Sequence, residues 1–157
     1  MKKPFTNRIL GVNIAITNMQ ETVDLIIEHL EEIRGQFICL SNVHTTVMSE
    51  KDAEYREIQN SAFLALPDGS PLALVQRLRG YRSAEQVAGW KATEHTEYSH
   101  YFYGSTPETI AALEKNLRSK YPDLKIAGME SPPFRSLTEE EDRQAVERIN
   151  ASGADFV

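Results

Sequence analysis

Two short apolar runs, Phe37-Ile38-Cys39-Leu40 and Phe63-Leu64-Ala65-Leu66, constrain this chain more than any other feature. Neither contains a residue suited to face water, and each leads through a polar cluster into a helix-forming stretch. Runs of this length fit strands buried on both faces, which occur in parallel sheets covered by helices. The rest of the chain keeps the same rhythm. Residues 8–16 are β-rich (Ile9, Leu10, Val12, Ile14, Ile16). Asn18 with Glu21 forms a variant capping box, followed by Val23, Ile26, Ile27, Leu30 and Ile33 at helical spacing, with Gly35 closing the helix. Residues 52–60 are polar and helix-prone, and Ser70-Pro71 reads as N-cap and N1 of a helix ending at Gly80. Tyr101-Phe102-Tyr103 and residues 124–127 read as strands, and Thr106-Pro107 opens the helix between them. Thr138 with Glu141 is a second capping box, and Ala154 to Val157 begin a last strand. The linker candidates are residues 81–98 and Ser131-Pro132-Pro133. The alternation implies right-handed crossovers. The expected class is therefore α/β, a Rossmann-like parallel sheet with helices on both faces, in one domain over 1–157.

Composition excludes several alternatives. Hydrophobic residues at 41% and charged residues at 25% are globular values, which argue against disorder and coiled coil. No apolar run approaches the roughly 20 residues that span a bilayer. Met1-Lys2-Lys3-Pro4-Phe5 has charge but no apolar stretch behind it, unlike a secretory leader. A single cysteine, Cys39, points to a reducing compartment. The net charge of -6, without a basic tract, argues against a nucleic-acid partner.

Parallel sheets bind ligands beyond the carboxyl ends of their strands. Three polar clusters follow expected strands: Ser41-Asn42-Val43-His44-Thr45-Thr46, Pro67-Asp68-Gly69-Ser70-Pro71 and Gly104-Ser105-Thr106-Pro107. Asp68 could accept a proton from a substrate hydroxyl, with Gly69 allowing close backbone approach; it could equally serve the turn alone. Asn42 offers a donor and an acceptor, and His44 could act as base, electrophile or phosphate partner. The competing reading is that Ser41 or Asn42 only caps the next helix. Gly104, Ser105 and Thr106 precede a helix N-terminus able to attract phosphate, without the second Gly or the Lys of a Walker motif, and a cap is the plainer meaning. His29 reads as solvated and Cys39 as an inert core thiol. His95 and His100 with Glu94 and Glu97 are ligand types without a spacing that fixes convergence, so no metal is expected, and no cofactor is implied.

Taken in order, Leu10-Gly11-Val12, Ser41-Asn42-Val43-His44-Thr45, Leu66-Pro67-Asp68-Gly69-Ser70-Pro71-Leu72, Val87-Ala88-Gly89, Phe102-Tyr103-Gly104-Ser105-Thr106 and Arg148-Ile149-Asn150 through Asp155 resemble the WecG/TagA/CpsF family of bacterial glycosyltransferases. The resemblance implies transfer of a sugar, typically N-acetylmannosamine, from a UDP-sugar donor to undecaprenyl-diphosphate-linked N-acetylglucosamine. The products feed teichoic acid, antigen or exopolysaccharide synthesis. It implies inversion at the anomeric carbon, Asp68 as general base, Asn42 in the active-site pocket, and Gly104-Ser105-Thr106 near the nucleotide-sugar pocket. It places the protein in the cytoplasm, allows peripheral contact at the inner face of the plasma membrane, and leaves a homo-oligomer open. The chain departs from the family pattern at Leu40, where Thr is usual, at Gln86, where Arg is usual, and in a short stretch from Trp90 to Ser99. The family also continues past Ala154-Asp155-Phe156-Val157 into a segment that completes the nucleotide pocket and docks to the membrane. The resulting expectation is a C-terminally incomplete domain with low or no turnover. The alternative is a non-catalytic α/β domain that binds a nucleotide sugar or a partner protein.

Overall fold

A computed structural model describes residues 2–89 and 94–157. Two compact units divide the chain, residues 1–89 and 90–157. The boundary falls inside the linker expected over 81–98, of which residues 90–93 lie outside the described residues. Ala84 and Val87, earlier in that stretch, are buried in the first unit.

The first unit holds β1 (Thr6–Ile9), β2 (Val12–Ala15), α1 (Met19–Glu28), β3 (Ile38–Ser41), α2 (Val43–Lys51), α3 (Ala53–Ser61), β4 (Leu64–Pro67) and α4 (Ser70–Leu78). Its sheet runs β1-β2-β4-β3, with β2, β4 and β3 parallel. The β-rich stretch 8–16 is not one strand. It folds back at Leu10-Gly11 into an antiparallel hairpin that pairs Ile9 with Val12. Both turn residues have positive φ, 46° and 87°, as a two-residue turn matched to strand twist requires. Leu10 meets that requirement at a steric cost of about 1–2 kcal/mol.

Strand periodicity sorts the core onto two faces. On one face Leu64 and Leu66 of β4 meet Met19, Leu25 and Ile26 of α1. On the other Ala65 meets Leu72 and Val75 of α4. Helices therefore cover both faces, and the α/β, Rossmann-like class holds. The two apolar runs that suggested it differ in environment. β4 is central and buried throughout, with Leu66 2% exposed. β3 is the edge strand, and Leu40 is 41% exposed. Composition could not separate a strand with two neighbours from a strand with one.

Two helix boundaries differ from expectation. α1 ends at Glu28, not at Gly35, because His29 C=O accepts turn bonds from both Glu32 and Ile33. α4 starts one residue early: its N-cap is Gly69, and Ser70 is already helical.

The second unit holds β5 (Ser99–Tyr103), α5 (Pro107–Lys120), β6 (Lys125–Glu130) and α6 (Glu139–Ser152). β5 and β6 pair in parallel. The final segment adds a single parallel bridge, His100 with Phe156. The Thr138–Glu141 capping box forms as expected. Gly128 lies so close to Tyr101 that a Cβ there would sit 2.2 Å from the ring, so the residue must be Gly.

Candidate active site

β3 and β4 end level with one another, in the register Leu40↔Leu66 and Ser41↔Pro67. The residues that follow, Asn42 and Asp68, therefore leave the sheet side by side at its carboxyl edge. Two backbone bonds fix the arrangement: Asp68 N–H donates to Ser41 C=O (2.7 Å), and Val87 N–H donates to Pro67 C=O (2.9 Å). The second bond brings the Val87-Ala88-Gly89 motif against the end of β4.

Asp68 is partly exposed, and among the described residues nothing pairs with its carboxylate. Gly69, at φ 100° and ψ 139°, turns the chain directly into α4. No side chain caps that helix, and its first turn carries no acidic residue. The first-turn amide N–H groups, which in a helix lack internal partners, thus begin one residue beyond Asp68, with Pro71 contributing none. A carboxylate and a set of anion-attracting donors share one strand end.

Asn42 settles between its two readings. Thr45 N–H donates to Asn42 Oδ1 (3.0 Å) and Asn42 N–H donates to Thr45 Oγ1 (2.9 Å), a complete capping box. The amide oxygen is spent on the cap, which leaves Nδ2 as the group able to meet a substrate, with no partner among the described residues. His44, the second residue of α2, is exposed.

A buried polar layer holds this edge from beneath. Ser41 Oγ donates to Gln59 Oε1 (2.8 Å). Gln59 Nε2 donates to Ser49 Oγ (2.8 Å) and to Thr45 C=O (3.2 Å). All three side chains are at most 3% exposed. Sequence reading missed this layer, because Gln59 lies 18 residues from Ser41 in a stretch that looked like a solvated helix.

The third cluster belongs to the second unit. Gly104 (φ 136°) and Ser105 (φ 62°) turn the chain out of β5, and Thr106 caps α5 by accepting from Thr109 N–H. The first turn also contains Glu108. Hydrogen bonds from its own backbone N–H and from the Thr106 hydroxyl hold its carboxyl below the ordinary range. The capping reading of Thr106 is thus the observed one, and a carboxylate already occupies the positive end of α5. Ser131 Oγ donates to Ser105 C=O (2.6 Å), which ties this turn to the rim of a cleft at the ends of β5 and β6. Tyr103, Glu130, Ser131, Pro132, Gln144 and Arg148 line that cleft, while Gly104, Ser105 and Thr106 stay outside it.

Glu130 was not legible in the sequence. Arg148 Nε and Nη2 each donate to it at 2.9 Å, and the Tyr101 hydroxyl donates to the same carboxylate. The Arg148 bonds, then the Tyr101 bond, hold Glu130 below its ordinary range. Burial first, then Glu130, pushes Tyr101 up to about 12.

The remaining candidates have structural partners. Burial raises the Cys39 thiol, as an inert core thiol requires. His29 is the C-cap of α1, with Nδ1 3.0 Å from Glu32 Oε1, and is less solvated than expected. His100 is buried and stacked on Phe156, and burial lowers its affinity for a proton. Among the described residues, no group of three His, Cys, Asp or Glu is arranged to hold a metal ion.

The parallel strands with helices on both faces define a Rossmann-like α/β protein, and its open carboxylate lies at the end of the central strand, beside an uncapped helix start. The profile of the Glycosyl transferase WecG/TagA/CpsF family matches residues 7–157, and this chain belongs to that family. It is 24% identical over 131 residues to the N-acetylglucosaminyldiphosphoundecaprenol N-acetyl-beta-D-mannosaminyltransferase of Bacillus subtilis (strain 168), covering 78% of this chain and 51% of the relative. The enzyme of the same name from Bacillus spizizenii (strain ATCC 23059 / NRRL B-14472 / W23) is 24% identical over 136 residues, covering 82% and 51%. The chain spans about half the length of the curated relatives it matches.

Proposed function

We propose that this chain carries the acceptor-activating site of a transferase that moves N-acetylmannosamine from a UDP-sugar to N-acetylglucosaminyl-diphospho-undecaprenol. The observation that carries the reading is the open carboxylate of Asp68 at the end of β4. In a single inverting displacement the acceptor hydroxyl attacks the anomeric carbon as the bond to UDP breaks, and the hydroxyl proton passes to a base. Asp68 is that base. Asn42 Nδ2, level with it just past the end of β3, donates to an acceptor oxygen, and His44 lies two residues further on, in α2. The first-turn amides of α4, beginning past Gly69, take diphosphate oxygens. Within the second unit Gly104, Ser105 and Thr106 form the turn out of β5 that the family resemblance associates with the nucleotide sugar. In the second unit the cleft offers Tyr103 as a flat apolar wall and Gln144 and Ser131 as hydrogen-bonding groups.

No helix among the described residues is long and apolar enough to cross a membrane. Access to a lipid-linked acceptor, as the chemistry of that substrate requires, is by contact at the inner face of the plasma membrane. The products belong to teichoic acid or related surface-polymer synthesis. The test is transfer of radiolabelled N-acetylmannosamine from its UDP donor to a short-chain N-acetylglucosaminyl-diphospholipid. Transfer lost in Asp68→Asn supports the reading. Transfer retained in that variant overturns it, whereas no transfer by the unsubstituted chain as well is the low-turnover outcome expected of an incomplete domain.

A further inference from the structure

The sheet holds α4 in one orientation, and that orientation turns two leucines outward. Leu72 and Val75 pack into the cluster that contains Ile14 and Ala65. Gln76, fully buried, donates from Nε2 to Ala15 C=O (3.0 Å) and Ile14 C=O (3.3 Å), both in β2. Rotating α4 about its axis would break these contacts with other elements. Leu74 and Leu78, one turn apart, lie on the side away from them, 50% and 79% exposed. A surface helix ordinarily keeps that side polar.

Positive charge accompanies the leucines. Arg77, three residues past Leu74 on the outer side, is exposed, as are Arg79 and Arg82 at the helix end. Residues 69–84 hold these three arginines and no Asp or Glu, in a chain whose net charge is -6. Arg79 Nη1 donates to Asn7 Oδ1 (2.9 Å) and Arg8 C=O (2.8 Å), which fastens the end of α4 to β1. Tyr81, partly exposed, follows just past Gly80. Outward leucines, a cluster of arginines and a tyrosine suit the boundary between headgroups and acyl chains: the leucines enter it, the arginines meet lipid phosphates, and the tyrosine sits between.

We propose that the outer face of α4, with Leu74, Arg77 and Leu78 followed by Tyr81 and Arg82, docks the protein on an anionic lipid bilayer. The proposal rests on the function proposed above, whose acceptor is lipid-linked and so carries its diphosphate at headgroup level. α4 begins two residues past Asp68, and its first-turn amides are the groups assigned to that diphosphate. The start of the helix therefore belongs at the bilayer surface. Leu74 follows about 6 Å along the axis and Leu78 about 12 Å. A helix lying along the surface presents to the lipid the side that the sheet does not hold. A second copy of the chain is the poorer occupant, because a twofold interface sets the same patch against itself and brings like-charged arginines together.

The test is co-sedimentation with vesicles of phosphatidylcholine, either alone or mixed with phosphatidylglycerol. Each cationic residue at an anionic surface contributes about fivefold, so the mixed vesicles are expected to bind the protein at least about tenfold tighter. Leu74→Gln with Leu78→Gln weakens that binding at least about tenfold, the equivalent of about two methylene groups left unburied. Leu78→Gln alone, a mild change at so exposed a position, weakens it partway. Arg77→Gln with Arg82→Gln removes most of the preference for the anionic lipid. Val146→Gln, at an exposed apolar position of α6, leaves binding and preference intact. Four results overturn the proposal: no binding to the mixed vesicles; equal binding to both kinds; binding that survives Leu74→Gln with Leu78→Gln; or a sedimenting mass without lipid that falls by half in that double variant, which makes the face a copy interface. Vesicle binding needs no sugar substrate, so failure of the base assignment would register differently, as transfer retained in Asp68→Asn with vesicle binding as expected.

Discussion

Gly69 joins Asp68 to α4, and the backbone there tests whether the site geometry is real. Its φ of 100° with ψ of 139° lies outside every region open to an L side chain. The space around it is not the obstacle: an added Cβ would meet Pro71 Cδ at 3.7 Å, an ordinary contact. The cost of Gly69→Ala is therefore conformational, about 1–3 kcal/mol. For a unit the size of residues 1–89, each kcal/mol lowers Tm by about 4–8 °C, so a mid-range 2 kcal/mol gives a fall of about 8–16 °C. Gly153 provides the contrast. It sits in the left-handed helical region (φ 65°, ψ 20°), which Asn tolerates. Asn should thus recover most of the loss at 153 and little at 69, where the conformation suits glycine alone. Calorimetric or urea unfolding of the four variants checks this, with Asp68-dependent transfer followed in parallel. If Gly69→Ala unfolds within about 0.5 kcal/mol of the unsubstituted chain, this turn geometry is wrong, and the placement of Asp68 falls with it.

Other outcomes follow from the same physics. Tyr101 is buried and holds its proton up to about 12, against an ordinary 10. A raised folded value stabilises fully below pH 10 and is lost between about 10 and 12, an alkaline loss of roughly 3 kcal/mol by linkage. Urea titrations should show that Tyr101→Phe lacks this component, and parallel pH curves for the two proteins would contradict it. Gln59→Leu strands the buried Ser41 hydroxyl, whose acceptor is Gln59, and removes the donor to Ser49. The expected loss is about 2–4 kcal/mol, and a change under about 0.5 kcal/mol in the urea midpoint would show that the layer does not hold the edge.

The order of elements was legible because β4 and its neighbours carry undiluted local signals: four apolar residues, a Pro, then Asp-Gly. What escaped was set by neighbours distant in sequence. Phe37 to Leu40 has the composition of a doubly buried strand, yet its place at the sheet edge leaves Leu40 exposed. Leu10 reads as strand but accepts a left-handed turn to close the hairpin. The position of Asp68 and Gly69 at a strand end could be read from chain order alone. Asn42 could not be divided between cap and ligand until Thr45 was seen to engage its Oδ1. Gln59, Glu130 and Arg148 stayed hidden, since each acquires its partner across at least 10 residues of chain.

The central claim is that Asp68 takes the acceptor proton. The direct measurement is single-turnover transfer of N-acetylmannosamine by the unsubstituted protein and by Asp68→Asn, at saturating donor and acceptor. Asn preserves size and removes the basic oxygen, so the rate should fall by about 10²–10⁴ while acceptor affinity changes little. A rate within a few-fold of the unsubstituted protein would contradict the account.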